Sequence, residues 1–342
     1  MNRLTVLLAL FTILSVSNTS CGSDPLNVDI SSVTVDPVKV QRLDEDFFNL
    51  DTSKLVTGIA DIRKKYGSMT DCFLNNVICY ASPDSSECFF TLGQFLVDHT
   101  MRGAWEMANE KYKDGFAFLE EDITSAYTYF KAHFPERKLP QNVFIVFSGF
   151  NYNYISCEGN YAIGTDYFLG KDNIYYQGLN WPMYQRRKME PEYMAAGFVR
   201  AWMMNEFPFS SEKSDVINHI VYEGKIMYLQ RALLRETPDS IITGFTAAQL
   251  EWCAVNEADM WAKMIEEQTV YSENEEDLNH MVMDAPFSAG FPKESPGRAG
   301  TWIGLRIVEK YMERFPETTL EELMAQTDGQ IILTQSKYKP EF

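Results

Sequence analysis

The stretch MEPEYMAAGFVRAWMMNEFPFSSEKSDVINHIVYEGKIMYLQRALL, residues 189–234, decides how the chain folds. Pro191 suits a first helical turn, and Glu190 and Glu192 put negative charge where the helix dipole favours it. A helix is therefore predicted to run to about Asn205. Met194, Ala195, Ala196, Phe198, Val199, Ala201, Trp202, Met203 and Met204 leave it no wet face, the pattern of a buried central helix. Only Arg200 interrupts it. After Phe207-Pro208 and a polar loop, Ser214 or Asp215 can cap a second helix. Its stripe Val216, Ile220, Glu223, Met227 follows the spacing of a core-facing side. A carboxylate on that face is costly unless paired, and the nearest candidate is Arg200 of the helix before. A buried bidentate Arg200–Glu223 pair is the focal expectation.

Working outward, the clearest strand is Asn142 to Phe147, β-branched and aromatic between Pro140 and Ser148-Gly149, and expected at the centre of a sheet. Gly159 to Leu169 reads as a neighbouring strand or hairpin arm. Val33 to Val40, interrupted by Pro37, reads as an edge strand. Helical patterns cover Thr52 to Tyr66, Thr70 to Tyr80, Phe89 to Tyr112 and Phe118 to Phe134, with Tyr127, Phe130 and Phe134 as a core stripe. Further helices are predicted from Thr246 to about Gln268 and from Trp302 to Arg314. A last short one follows a capping box, Thr318 with Glu321 or Thr319 with Glu322. The acidic run Glu273 to Asp277 reads as a solvated loop, and Asp328-Gly329 as a turn before Ile331-Ile332-Leu333.

At 342 residues, 45% hydrophobic and 14% aromatic, the chain has ample material for a core. Residues 1–20 combine Arg3, an apolar run from Leu4 to Val16 and small polar residues ending at Cys21, a secretory signal of the lipoprotein kind. A membrane anchor is the rival, but the run falls short of the ~20 apolar residues a span needs. Residues 21–32 read as a flexible tether and 33–342 as a single domain with two lobes. A formal charge of −18 makes nucleic acid and anionic membrane surfaces poor partners. With Cys21 acylated, five cysteines remain, so at least one thiol is free within the monomer. One or two disulfides are expected in an oxidising compartment, with the pairing left open.

A strand, an edge strand, a buried helix and a second helix with an inward Glu make up the order of zincin-like peptidases. There HExxH on the first helix and Glu on the second hold zinc. The segments 143–147, 160–169, 191–205 and Glu223-Gly224-Lys225 resemble those elements, and the stretch from Gly297 to Val308 resembles the group's C-terminal helix. None of His99, His133, His219 and His280 heads an HExxH. The matching residues are Ala196-Gly197-Phe198-Val199-Arg200, so Arg200 falls where the second His would lie.

More narrowly, the chain resembles the gliding-motility lipoprotein B family (GldB) of Bacteroidetes over nearly its whole mature length. The segments that carry this are the lipoprotein start, Arg42-Leu43-Asp44-Glu45-Asp46-Phe47-Phe48, Pro191 through Trp202, Tyr222-Glu223-Gly224-Lys225 and the stretch around Arg298. The resemblance implies an α+β, zincin-like fold (a degenerate gluzincin), mostly helical with a small mixed sheet. It further implies a non-catalytic outer-membrane lipoprotein, lipidated at Cys21, that works through contacts with envelope proteins and needs no metal or cofactor. Two rival readings are a metal-dependent hydrolase using His219 and Glu223, one helical turn apart, and a nutrient- or glycan-binding lipoprotein using Tyr152, Tyr154, Tyr161, Tyr167, Tyr175 and Tyr176.

Overall fold

Strand β2, Val143–Val146, is buried at every position and organises the sheet. Val143 and Ile145 face one hydrophobic core, Phe144 and Val146 another, so the strand is apolar on both sides, as a strand covered on both faces must be. The computed structural model describes residues 26–341, and the lipidation candidate Cys21 and the signal lie outside the described residues. Around β2 the sheet has the order β1-β2-β4-β3, with β1 at Val40–Arg42, β3 at Tyr154–Cys157 and β4 at Asn160–Gly164. β1 and β4 run parallel to β2, whereas β3 pairs antiparallel with β4. The chain is therefore α+β, mostly helical with a small mixed sheet.

One core joins the sheet to the helices Ala117–His133, Met194–Glu206, Val216–Leu233 and Ala299–Arg314. The other joins it to Leu55–Tyr66, Ser86–Val97 and His99–Lys111. Tyr127, Phe130 and Phe134 are core residues. Disulfides Cys72–Cys157 and Cys79–Cys88 staple the second core, the first binding the helix Ser68–Phe73 to β3. Cys253 is free and buried, and burial pushes its thiol up to about 12.

Several expectations need correcting. The edge strand begins at Val40, not Val33; before it, the Val38 N–H donates to Thr124 Oγ1 at 2.9 Å. β3 was not anticipated. It follows from the turn Glu158-Gly159, where both residues hold positive φ, 50° and 80°, the backbone that closes a two-residue hairpin. The pattern from Phe89 to Tyr112 splits at Asp98, which caps the second helix by accepting from Met101 N. The helix expected from Thr246 to Gln268 breaks at Asn256 into Ala247–Val255 and Glu257–Glu266: Asn256 leaves helical geometry, φ −103° and ψ 13°, while its side-chain amide donates to the Trp252 carbonyl at 2.7 Å. Its Val255 and Ile265 are exposed. The acidic run is the first turn of a helix, Glu275–Val282, capped by Asn274, where carboxylates meet the positive end of the dipole. Asp328 is likewise a cap, opening a helix Gly329–Ser336.

Candidate functional site

Arg200 and Glu223 come together across the two helices read first. Arg200 Nη2 donates to both carboxylate oxygens, at 2.8 and 2.6 Å. The expected dry, forked contact is not what forms. A single nitrogen bridges the two oxygens, and the side chains keep 26% and 13% of their exposure. The Met194–Glu206 helix does have a wet side: Gly197, Arg200 and Ala201 are half-buried and Met204 is exposed. Gly197 is needed where it stands, because a Cβ there would lie 2.0 Å from the Tyr154 hydroxyl. That hydroxyl donates to the Met194 carbonyl at 3.1 Å.

Partial exposure lowers the expected energetic weight of the pair. Removing one partner from a dry pair costs ~3–5 kcal/mol, and from an exposed one ~0–1. Arg200→Met and Glu223→Leu should each cost about 1–2 kcal/mol, and the double variant less than the sum of the two. Urea unfolding of the three variants measures this. Strictly additive costs would mean that the two groups do not stabilise each other.

Around this pair the fold gathers charge that no local pattern signals. Lys188 Nζ donates to Asp284 Oδ2, and Arg298 Nε lies 3.4 Å from Asp284 Oδ1. The Arg298 guanidinium also donates to the Thr243 carbonyl and lies over the Phe245 ring. Arg187 Nη2 reaches the neighbouring Gly244 carbonyl at 2.8 Å. Burial alone would raise the Asp284 carboxyl, but Arg298, Lys188 and Arg200 together hold it below the usual range. Burial draws the Lys188 ammonium down, against the pull of Asp284. Four cations thus face two carboxylates in a protein of formal charge −18, a local reversal of sign.

Arg298 is held in the left-handed region, φ 55°, directly before the helix Ala299–Arg314. Its anchors on Thr243 and Asp284 offset a conformation that side chains rarely adopt. Buried Ser288 accepts from the Ala299 N–H at 2.7 Å and so caps that helix. Arg298 was legible as a candidate. Arg187, Lys188 and Asp284 were missed, since the pair 187–188 and Asp284 are about a hundred residues apart in sequence and meet Arg298 only in space.

His219 does not join the cluster as a ligand. Its Nε2 is 2.8 Å from Ser214 Oγ and its ring stacks on Phe209 at 4.2 Å, while burial lowers its pKa. Among the described residues no group of three His, Cys, Asp or Glu side chains gathers to hold a metal ion. The six tyrosines mostly serve the fold: Tyr154 and Tyr176 donate to main-chain carbonyls and Tyr161 is a core residue, while Tyr152 is exposed. No helix among the described residues is long and apolar enough to cross a membrane. Compared with known proteins, residues 23–340 match the family model described as gliding motility protein GldB. No curated protein and no solved structure matches.

Proposed function

Because the chain belongs to the gliding motility protein GldB family, we propose that it is a non-catalytic envelope lipoprotein acting through contacts with other envelope proteins. The family match over residues 23–340 carries this reading, since it identifies a gliding-motility lipoprotein rather than a known enzyme. In this proposal Cys21 carries the lipid, residues 21–32 form the tether, and residues 33–342 form one zincin-like domain with two lobes at the outer membrane.

The geometry around residues 196–200 supports the non-catalytic part. If the helix descends from a zincin helix, Gly197 stands where the general-base glutamate would be, and the Tyr154 hydroxyl fills the space such a side chain needs. Arg200 stands in place of the second histidine and binds Glu223, the residue that would complete the metal site. A cation on a carboxylate replaces a metal on that carboxylate, which preserves charge balance but supplies no activated water. The cation-rich cluster around Arg298 then offers a contact point for an acidic segment of a partner.

Cells carrying the wild-type chain or Cys21→Ser test the reading. Fatty-acid labelling and fractionation should find wild type acylated, in the outer membrane, and cross-linked to specific envelope proteins. Cys21→Ser should lose the label and move to the soluble fraction. A wild-type chain that is unlabelled, or labelled but cross-linked to nothing beyond background, would overturn the corresponding half of the proposal.

A further inference from the structure

Besides Glu223, the helix Val216–Leu233 carries a cation on an otherwise apolar face, Lys225, which is only 5% exposed. Its Nζ donates to the Gln326 carbonyl at 2.8 Å. Among the described residues no carboxylate forms an ion pair with it, and burial draws its ammonium down to about 8, still charged at neutral pH. The nearby acids are engaged elsewhere. Glu206 pairs with Arg137 at 2.5 Å, and Asp215 caps its helix through Asn218. An ammonium has three donors, and one accounted for in so dry a place is a costly arrangement unless something else completes it.

Lys225 lines a cleft of about 220 Å³. The loop of residues 206–211 forms one wall, the Val216–Leu233 helix the floor, and the turn between Met324 and Gly329 the other wall. Phe207, Phe209 and Tyr222 give the cleft an aromatic side, while Ser210 and Ser211 line the loop wall. The volume is below the ~300–1,000 Å³ of sites for drug-sized ligands, so it suits a group the size of one residue.

We propose that this cleft binds a single carboxylate carried on a short apolar body, with the Lys225 ammonium as the group that recognises it. The pairing is short-ranged: an acidic protein does not draw anions from a distance, but a carboxylate seated on a desolvated ammonium gains a charge-assisted hydrogen bond that water screens little. The apolar body stacks on the aromatic side and replaces water there. The same chemistry is offered by a free small carboxylate and by the C-terminal carboxylate of a peptide ending in an apolar residue. This site is separate from the Arg200–Glu223 cluster and does not depend on how that cluster is read.

The mature chain with isotope-labelled lysine side chains is titrated with hexanoate, hexanamide, a tripeptide ending in phenylalanine, and that tripeptide's C-terminal amide. The acids should move the Lys225 signal saturably and the amides should not. Tighter binding of the tripeptide identifies a chain terminus as the source, and equal or tighter binding of hexanoate a free carboxylate; either supports the site. Lys225→Met should weaken binding by ~10-fold or more, the loss expected for a hydrogen bond to a charged group. Ala325→Trp, which crowds the exposed mouth and leaves Lys225 in place, should weaken it likewise and carries the test if Lys225→Met fails to fold. Acids and amides acting alike, no response to either acid, or binding that survives both substitutions would overturn the proposal.

Discussion

Alanine in place of both Cys72 and Cys157 should lower the unfolding free energy by about 4–5 kcal/mol, among the largest losses any change in this chain should produce. The bond closes a sequence separation of 85 residues, whereas Cys79–Cys88 closes only 9. In the chain-entropy account the constraint on the unfolded state grows with the logarithm of that span, giving ~4.6 kcal/mol for the long loop and ~2.6 for the short one. The native structure adds a local reason for the same order. Cys157 is buried on β3, the outermost strand, and its bond reaches back to the helix Ser68–Phe73. Without it β3 holds to the sheet through β4 alone. Urea unfolding of the two double-alanine variants, both otherwise oxidised, provides the comparison. Equal costs would mean that loop span does not set the order. The dependence also bears on location: a chain with this much stability in disulfides needs an oxidising compartment, as an envelope protein has.

The parts of this fold that were legible in the sequence are those set by local periodicity or by a charge out of place. Asn142 to Phe147 announces itself because a strand covered on both faces must be apolar throughout. Arg200 and Glu223 could be matched because each is a lone charge on an apolar helical face. Lys225 carries the same signal, two residues beyond Glu223, and the same argument would have found it. What could not be read was decided by single polar side chains at helix ends or by neighbours distant in sequence. Asn256 breaks a continuous apolar pattern through its own side chain. Gly329 begins a helix rather than ending a turn because its N–H donates to Asn218 Oδ1, at 2.7 Å and 111 residues away. The acidic run at 273–277 was judged by its charge, when the informative residue was the cap within it, Asn274. Lys188 lies 96 residues before Asp284 and further still from Arg298, so no window of sequence contains the cluster.

The contact between the helices Ala299–Arg314 and Val216–Leu233 rests on glycines, and Gly304→Ala should cost at least ~3 kcal/mol, against the ~1 kcal/mol that alanine ordinarily gains over glycine inside a helix. A Cβ at position 304 would lie 1.7 Å from the Ile220 carbonyl oxygen and 2.3 Å from its carbon. From the opposite side, a Cβ at Gly224 would lie 2.4 Å from the carbonyl of Gly304. These are main-chain atoms on both sides, so no rotamer change relieves the clash and the helices must separate along their length. Overpacking of side chains costs ~1–3 kcal/mol, and a clash between two backbones belongs at or above the top of that range. Gly300→Ala meets the Met281 carbonyl and Cβ at 2.8 Å and should be harmful too. Gly178→Ala is the control, with nothing within 4 Å of the new methyl, and should be neutral or slightly stabilising. Separation would also move Arg298, at the start of one helix, away from Glu223 on the other, so the charged cluster should loosen along with stability. Unfolding midpoints for the three variants, with amide exchange along 216–233, measure both effects. A Gly304→Ala protein within ~0.5 kcal/mol of wild type, the range of an ordinary surface substitution, would mean that the two backbones do not touch as described.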